Sequence, residues 1–283
     1  MVHYRPRYWP YSSSPTEASV MRKNAFHSKY GPYALVAGAS EGLGAAFAEV
    51  LAQRGFNLLL VARREKKLST FSEHLENKYN INCHYKALDL AKYGEAKEWI
   101  SSLGFDIGLM IYNAAYAPID YFMDVPEDKL EQVVQVNVQT PLLLCKLLSE
   151  KMQHRQRSGI VLMSSLAGYQ GSPKIATYAA SKAFNTILAE GLWMELQQQG
   201  IDVMASCAGA IRTPGYNVAE DGNEAPGTMD AITVATHSLD ALGKGPTIVP
   251  GYSNKFFSFI MARLLPRKLA ISLMAKNTKT LSS

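Results

Sequence analysis

The fold is decided by the stretch Tyr33-Ala34-Leu35-Val36-Ala37-Gly38-Ala39-Ser40-Glu41-Gly42-Leu43-Gly44. Its first five residues form a short, continuous apolar run, which is the pattern of a strand buried on both faces of a parallel sheet. Three glycines follow, and then an alanine-rich segment with helical spacing runs to Arg54, where Gly55 ends it. A glycine-rich turn between a buried strand and a helix N-terminus is typical of a phosphate-binding loop, although a purely structural turn would give the same pattern.

The same alternation of strand and helix continues along the chain. Further apolar strands are predicted at 57–62, 82–88, 107–112, 159–164, 202–207 and 247–249. Helices are predicted at 64–79, 92–103, 127–152 with a break near Thr140-Pro141, 174–199 and 229–242. This rhythm calls for right-handed crossovers between parallel strands. We therefore expect an α/β fold, a single Rossmann-type doubly wound parallel sheet of about seven strands with helices on both faces.

Length and composition suit a globular α/β protein. The chain has 283 residues, 47% of them hydrophobic, which suffices for one well-buried α/β core or at most two small ones. We expect a flexible N-terminal extension at 1–30 and a single folded domain at 31–283. That domain would include a substrate loop at about 210–228, rich in Gly, Asn and Pro, and an apolar, basic C-terminal segment at about 253–283.

Charge and cysteine usage exclude several classes of protein. The net charge is +5, but residues 1–30 carry +4 and residues 253–283 carry +6, so the remaining residues carry −5. A nucleic-acid-binding domain would keep its basic surface on the folded part, so none is expected. The basic ends indicate either solvated tails or a weak peripheral contact with an anionic membrane. Cys83, Cys145 and Cys207 lack pairing or metal-ligand spacing, so no metal is expected.

The sequence predicts a cytoplasmic protein, with peripheral membrane attachment as the alternative. It contains no apolar run of the roughly 18–20 residues that cross a bilayer. The N-terminus lacks the apolar region of a signal peptide, and the three cysteines read as buried side chains in a reducing compartment.

The residues after the second strand indicate the cofactor. Arg63 and Arg64 stand where an acidic residue would bind the adenosine ribose. Guanidinium groups instead bind a 2′-phosphate, so we expect NADP(H), with Arg63 the first contact and Arg64 the second. The alternative is that both arginines simply begin a solvated helix.

A second motif lies on the helix predicted at 174–199. Tyr178 and Lys182 are four residues apart and therefore share a face of that helix. A phenol has a pKa near ~10, and a neighbouring ammonium would lower it toward the range useful for acid–base chemistry. Such a pair arises easily by chance, so its context decides its meaning.

Taken together, these motifs resemble the short-chain dehydrogenase/reductase family. Its branch of hydroxysteroid dehydrogenases and long-chain 3-ketoacyl reductases is resembled by three further segments, Lys29-Tyr30-Gly31, Arg54-Gly55-Phe56-Asn57 and Ala62-Arg63-Arg64-Glu65-Lys66-Lys67-Leu68. The glycine spacing is Gly-x-x-x-Gly-x-Gly, and Ser165 lies thirteen residues before Tyr178, which is the family spacing. The resemblance implies that Tyr178 exchanges the proton, Ser165 binds the substrate oxygen and Lys182 holds the nicotinamide ribose. Asn137 would hold a water in the proton relay, although a buried Asn satisfied by backbone is the commoner case; Ser164 is the alternative to Ser165.

The resemblance also implies the remaining cofactor contacts. Beside the glycine loop and the two arginines, these are Asp89, Leu90, Asn113, Ala114, Ala115, Tyr178, Lys182, Ile211 and Thr213. The chain departs from the family pattern at Ala37, where the family has Thr, and at Tyr112 and Ala115 in the segment that lines the cofactor. We expect these departures to affect local stability more than activity.

The expected reaction interconverts a carbonyl and a secondary alcohol on a hydrophobic, lipid- or steroid-like substrate. The alternative is a catalytically silent NADP(H)-binding sensor or scaffold protein. The family commonly forms dimers or tetramers through the two long helices near 127–152 and 174–199, so we expect a homodimer or homotetramer.

Overall fold

The computed structural model describes residues 25–214 and 224–278, with side chains through residue 275. Seven parallel strands form the central sheet in the order β3-β2-β1-β4-β5-β6-β9. They are β1 (Tyr33–Ala37), β2 (Asn57–Ala62), β3 (Cys83–Ala87), β4 (Ile107–Tyr112), β5 (Ser158–Ser165), β6 (Ile201–Ala208) and β9 (Thr247–Ile248). The predicted fold class and strand number are confirmed.

Helices cover both faces of the sheet. They are α1 (residues 25–30), α2 (Gly42–Gln53), α3 (Glu65–Tyr79), α4 (Tyr93–Ser102), α5 (Glu127–Val134), α6 (Thr140–Met152), α7 (Ala176–Gln197), α8 (Ala231–Ala241), α9 (Tyr252–Phe259) and α10 (Arg267–Thr278). One apolar core lies between the sheet and α2, α3 and α8. The other lies between the sheet and α4, α6 and α7, so the sheet is covered on each side as a doubly wound fold requires.

The strand order reverses between β1 and β4, which are neighbours in the sheet although β2 and β3 separate them in sequence. In open α/β sheets the ligand crevice lies outside the carboxyl ends of the strands at this switch point. The glycine loop and the segment after β4 therefore meet at the expected place.

The helix predicted at 127–152 is interrupted near Thr140-Pro141, as expected. A π-helical segment, Gln135–Gln139, joins α5 to α6, so the irregular turn ends just before Thr140. Pro141 accounts for it, because it has no N–H for the carbonyl of Asn137 and its ring crowds that oxygen in a regular α-helix.

The packed domain begins earlier than predicted. Residues 25–30, which we assigned to a flexible extension, form α1, and Tyr30 is buried with its hydroxyl donating to Asp202 at 2.6 Å. Apolar burial of Phe26 and Tyr30 fixes this helix to the core. The rest of the predicted extension, 1–24, and part of the substrate loop, 215–223, lie outside the described residues.

One smaller difference follows from local strand pairing. Met229 and Asp230, expected to begin a helix, form a two-residue strand, β8, that pairs with β7 (Ile211–Arg212). The three cysteines are free and buried, as predicted.

Candidate active site

The glycine loop is shaped by close backbone approaches. A Cβ on Gly44 would lie 1.9 Å from the carbonyl oxygen of Gly38, and a Cβ on Gly38 would lie 2.7 Å from the amide of Ala114. Gly38 and Gly42 also have positive φ angles of 85° and 58°. No side chain of the described residues caps the N-terminus of α2. The first amides of α2 and its positive dipole end thus form a cradle that suits an anion.

Backbone bonds replace the hydroxyl that is missing at Ala37. The Ala37 carbonyl accepts from the amides of Asn113 and Ala114, both at 2.9 Å, and the Asn113 side chain donates to the Gly38 carbonyl at 3.3 Å. The glycine loop and the segment after β4 remain joined, so the departure from Thr removes one link among several.

The basic end of β2 contains its own counter-ion. Arg64 bonds the Ser40 hydroxyl at 3.0 Å and pairs with the Glu41 carboxylate at 2.5 Å, while Lys67 pairs with Glu41 at 2.9 Å. Hydrogen bonds from Arg64 and then Lys67 lower the pKa of Glu41. The positive charge beside the loop is therefore partly neutralised by Glu41.

A cavity of about 280 Å³ lies between these elements. Most of the predicted cofactor contacts line it, namely Gly38, Ser40, Glu41, Arg63, Arg64, Asp89, Leu90, Asn113, Ala114 and Ala115. Five further residues line the cavity and were not predicted from the sequence, namely Ala62, Leu88, Tyr116, Gln132 and Val136. Gly42, Leu43 and Gly44 are not part of its lining; they shape the loop and the start of α2.

Thr213 and Ile211 lie across the loop from the glycines. The Thr213 methyl carbon would be 3.2 Å from a Cβ on Gly42, and Ile211 pairs with Met229 in the small β7–β8 sheet. Next to them, Arg212 forms ion pairs with Glu224 and Asp230. Residues on both sides of the predicted substrate loop are thus held together by ion pairs, and Thr213 lies close to the glycine loop.

The predicted catalytic side chains meet at the end of β5 and the start of α7. Ser165 is the last residue of β5; its hydroxyl accepts from the Ala167 amide at 3.2 Å and lies close enough to Tyr178 to lower the pKa of the phenol. Ser164 instead points into the protein, where its hydroxyl donates to the Lys182 carbonyl at 2.7 Å and contacts the Thr186 hydroxyl at 2.7 Å. The geometry therefore favours Ser165 over Ser164 as the group that faces the phenol.

Lys182 lies beneath Tyr178 and is almost fully buried. Its ammonium donates to the Met163 carbonyl at 2.8 Å and lies 5.5 Å from the centre of the Tyr178 ring. Burial lowers the pKa of Lys182 to about 8. Burial also raises the pKa of Tyr178, with the Ser165 hydrogen bond acting in the opposite direction. The expected lowering by Lys182 is not seen in this state, since the ammonium is directed at the backbone of β5.

Asn137 occupies the π-helical segment and is fully buried. Its side chain donates to the Tyr116 carbonyl at 2.8 Å and accepts from the Tyr116 amide at 2.8 Å, and it bonds the Ser181 hydroxyl at 3.0 Å. These bonds connect the loop after β4 to α7 one residue before Lys182. The Asn137 side chain is thus structural. The Asn137 backbone carbonyl is the group that receives no helical hydrogen bond from Pro141.

Tyr112 has a role that the sequence did not reveal. At the end of β4 its buried hydroxyl donates to the Val136 carbonyl at 2.6 Å, next to Asn137. The substitution noted as a departure from the family therefore provides a polar link between the sheet and the π-helical segment. A polar tip at the end of an otherwise apolar strand was the available signal, since a buried phenol usually has a hydrogen-bond partner.

Among the helices that the structure describes, none is long and apolar enough to cross a membrane.

Comparison with known proteins identifies the family. The model of the short chain dehydrogenase family matches residues 32–223, more than half of the chain. A 7beta-hydroxysteroid dehydrogenase from Clostridium sardiniense is 30% identical over 81% of this chain and 89% of its own length. A very-long-chain 3-oxoacyl-CoA reductase from Podospora anserina is 31% identical over 83% of this chain and 72% of its own. The inactive hydroxysteroid dehydrogenase-like protein 1 of Mus musculus is 28% identical over 85% and 74%.

Solved structures give the same result. A 7beta-hydroxysteroid dehydrogenase structure has a TM-score of 0.81 and 26% identity, covering 88% of this chain and 98% of that one. A short-chain dehydrogenase from Sphingobium yanoikuyae in complex with NADPH has a TM-score of 0.72 and 25% identity, covering 82% and 94%. The chain therefore belongs to the short-chain dehydrogenase family, in the branch that contains hydroxysteroid dehydrogenases and very-long-chain 3-oxoacyl-CoA reductases.

Proposed function

We propose that the protein is an NADP(H)-dependent oxidoreductase that interconverts a carbonyl and a secondary alcohol. The observation that carries this proposal is the arrangement of Ser165, Tyr178 and Lys182 around the carboxyl end of β5, which lies two strands from β1 in the sheet. A scaffold that only binds a nucleotide has no physical need for a phenol placed between a serine hydroxyl and a buried ammonium.

Each of the three side chains would have a separate role in the reaction. The Ser165 hydroxyl, which lies near the phenol, would bind the substrate oxygen and hold it against Tyr178. Tyr178 would donate or accept the proton at that oxygen. Lys182 would place positive charge below the phenol and bind the ribose hydroxyls. The nicotinamide, when bound, supplies or accepts the hydride.

A deuterium-transfer assay tests this reaction. The full chain would be incubated with NADPH deuterated at the nicotinamide C4 and with a set of steroid, acyl and quinone carbonyls. We expect one product alcohol to carry a single deuterium on the former carbonyl carbon, detected by mass spectrometry. Products without deuterium, or no product from any carbonyl, would contradict the proposal.

The choice of NADP(H) rests on Arg63 and Arg64, which line the cavity beside Ser40. It is supported by the NADPH complex of the related dehydrogenase from Sphingobium yanoikuyae. Fluorescence titration should show tighter binding of NADPH than of NADH. Arg63→Ala/Arg64→Ala should remove that preference, because the 2′-phosphate loses its bidentate partners. Arg157→Ala, which removes an arginine paired with Asp202 far from the cavity, is the matched control.

We propose a bulky hydrophobic ketone or alcohol as the substrate. The relatives named above act, by their names, on steroids or on very long acyl chains, and the region beyond β6 in this chain is rich in apolar side chains. The proposed catalytic domain, 31–283, includes that region together with the loop at 210–228. In the carbonyl set of the deuterium assay, we expect apolar ketones to react and sugars to fail.

A second candidate is a silent NADP(H)-binding sensor or scaffold, which the mouse relative named as inactive favours. Binding of NADPH without deuterium transfer to any carbonyl would support it.

We also propose a cytoplasmic homodimer or homotetramer. The two long helical regions expose apolar side chains that a subunit interface would cover, namely Val134 and Leu142 on α5–α6 and Ile187 and Met194 on α7. Light scattering on the full chain gives its mass. A monomer at micromolar concentration would contradict this assembly.

A further inference from the structure

The last two helices expose apolar side chains that the fold itself does not use. Tyr252 is 95% exposed, and Phe256, Phe257 and Phe259 on the same helix are 63%, 53% and 56% exposed. Leu264, Leu269, Ile271 and Leu273 continue this exposure through the π turn Ile260–Leu264 into α10. We call these eight residues the C-terminal face. Exposed apolar side chains concentrated in one segment of a fold mark a site of interaction.

The charges within this face are all of one sign. Lys255, Arg263, Arg267 and Lys268 lie between its apolar residues, and the chain contains no Asp or Glu after Asp240. Aromatic rings next to lysine and arginine are the composition of segments that lie in the interfacial region of an anionic bilayer. The surface therefore matches a partner that is apolar within and negatively charged outside.

The C-terminal face is fixed next to the active site. Arg267 donates to the carbonyl of Tyr169 at 2.6 Å, in the short helical turn Leu166–Tyr169 that follows Ser165. Asn254 is buried and donates to the Gly227 carbonyl at 2.9 Å, at the end of the predicted substrate loop. Whatever binds this face is therefore held beside the turn that follows Ser165 and beside the end of the predicted substrate loop.

We propose that the C-terminal face docks onto an anionic lipid bilayer, with its aromatic side chains at the headgroup boundary and its cations against lipid phosphates. A second copy of the chain is the less suitable occupant. A symmetric contact would bring the four cations of one subunit against the same four of the other, with no carboxylate on either face to neutralise them. The docked orientation would let an apolar substrate enter from the bilayer, a consequence that rests on the proposed function.

Co-sedimentation with vesicles tests the docking. The probes are vesicles of phosphatidylcholine alone and vesicles with phosphatidylserine at roughly one lipid in three. The full chain should sediment with the anionic vesicles, less with the neutral ones, and progressively less as salt screens the charges. Phe256→Ser/Phe257→Ser/Phe259→Ser should abolish sedimentation.

A matched apolar surface provides the control. Tyr121, Phe122 and Met123 are more than half exposed, like the three phenylalanines, but Asp120 and Asp124 flank them. Tyr121→Ser/Phe122→Ser/Met123→Ser should therefore sediment like the unmodified chain. Equal loss in both triple variants, or no sedimentation of the unmodified chain, would overturn the proposal.

A charge variant separates the bilayer from a protein partner. In Lys255→Gln/Lys268→Gln the partition onto anionic vesicles should fall by about fivefold for each charge removed, with partition onto neutral vesicles unchanged. A fall in molecular mass of the phenylalanine variant without any vesicle binding by the unmodified chain would assign the face to self-association instead. NADPH binding, measured on the same samples, reports on the proposed function independently of sedimentation.

Discussion

The floor of the active site and the C-terminal face occupy the same end of the molecule but are built on opposite principles. The floor buries polar groups, namely Tyr112, Asn137 and Lys182, and each has a hydrogen-bond partner on another element. The C-terminal face leaves apolar groups in solvent and is joined to the rest of the protein by hydrogen bonds from Asn254 and Arg267. Buried polar groups are costly to leave unpaired, so the floor fixes a geometry, whereas an exposed apolar face fixes none until it is covered.

This contrast predicts which substitutions will change stability and cofactor binding. A change in the floor should lower both stability and cofactor binding, because its bonds also join the strands to α5–α7. A change in the C-terminal face should leave stability within about 0.5 kcal/mol, as for other exposed positions.

The largest effect should come from the glycine loop. Gly44→Ala places a methyl group 1.9 Å from the Gly38 carbonyl, which is backbone and cannot move aside cheaply. We expect the free energy of unfolding, measured by denaturant titration, to fall by about 1–3 kcal/mol. NADPH binding, measured by fluorescence, should no longer be detectable.

The matched control is a second helical glycine. A Cβ on Gly191, within α7, would meet no atom within 4 Å. Gly191→Ala should therefore stabilise the chain by roughly 0.5–1 kcal/mol through helix propensity, with cofactor binding unchanged. Equal changes in stability and NADPH binding in the two variants would contradict a requirement for glycine at position 44.

Lys182 should give the floor a pH-dependent stability. Its pKa is about 8 in the folded chain and higher when the chain unfolds, so between these values the unfolded state binds more protons. The free energy of unfolding should therefore gain a contribution that rises from pH 8 towards 10, on the order of 1–3 kcal/mol in total. The cysteines and tyrosines with raised pKa values act in the opposite direction.

The difference between the unmodified chain and Lys182→Met isolates this contribution, since all other groups cancel. Denaturant titrations at several pH values should show that difference increasing with pH. A flat difference would mean that Lys182 does not lose its proton in this range.

A pair of tyrosines compares the two regions directly. Tyr112→Phe removes the hydroxyl bonded to the Val136 carbonyl and leaves a buried acceptor unpaired. We expect a loss of about 1–2 kcal/mol in the free energy of unfolding. Tyr252→Phe, on the C-terminal face, should change nothing measurable, because its side chain is almost fully exposed. If both variants unfold at the same denaturant concentration as the unmodified chain, the Tyr112 bond carries no stability.

The smallest effect is expected at the rim of the cavity. Glu41→Gln removes the carboxylate that pairs with Arg64 and Lys67. Because these pairs are partly exposed, NADPH should bind only severalfold more tightly, with NADH little changed. Equal gains for both nucleotides in parallel titrations would show that Glu41 does not oppose the 2′-phosphate.

The sequence predicted best what local patterns determine. The bounds of β1, β2 and β4 were correct, because continuous apolar runs between glycine, proline or charged residues leave little choice for a doubly buried strand. Ten of the predicted cofactor residues line one cavity because parallel strands bring their carboxyl ends together.

What the sequence did not show depends on contacts between distant segments. Residues 127–152 have helical spacing throughout, so only Pro141 signalled an irregularity, and it did not place the π turn at Gln135–Gln139. The bond from Tyr112 to Val136 joins positions 24 residues apart, and the β7–β8 pair joins two segments of two residues each. The raised pKa of Tyr178 likewise follows from burial, which no residue spacing reveals.

The central claim, that Tyr178 exchanges a proton with the substrate beside bound NADP(H), is tested most directly by comparing the unmodified chain with Tyr178→Phe. Turnover would be followed by the absorbance of the reduced nicotinamide with the ketone that incorporates deuterium, and NADPH binding by fluorescence. We predict equal NADPH binding and a loss of turnover of about 10²–10⁴-fold, the usual contribution of a general acid. Turnover within a few-fold of the unmodified chain would contradict the assignment of Tyr178 and with it the proposed mechanism.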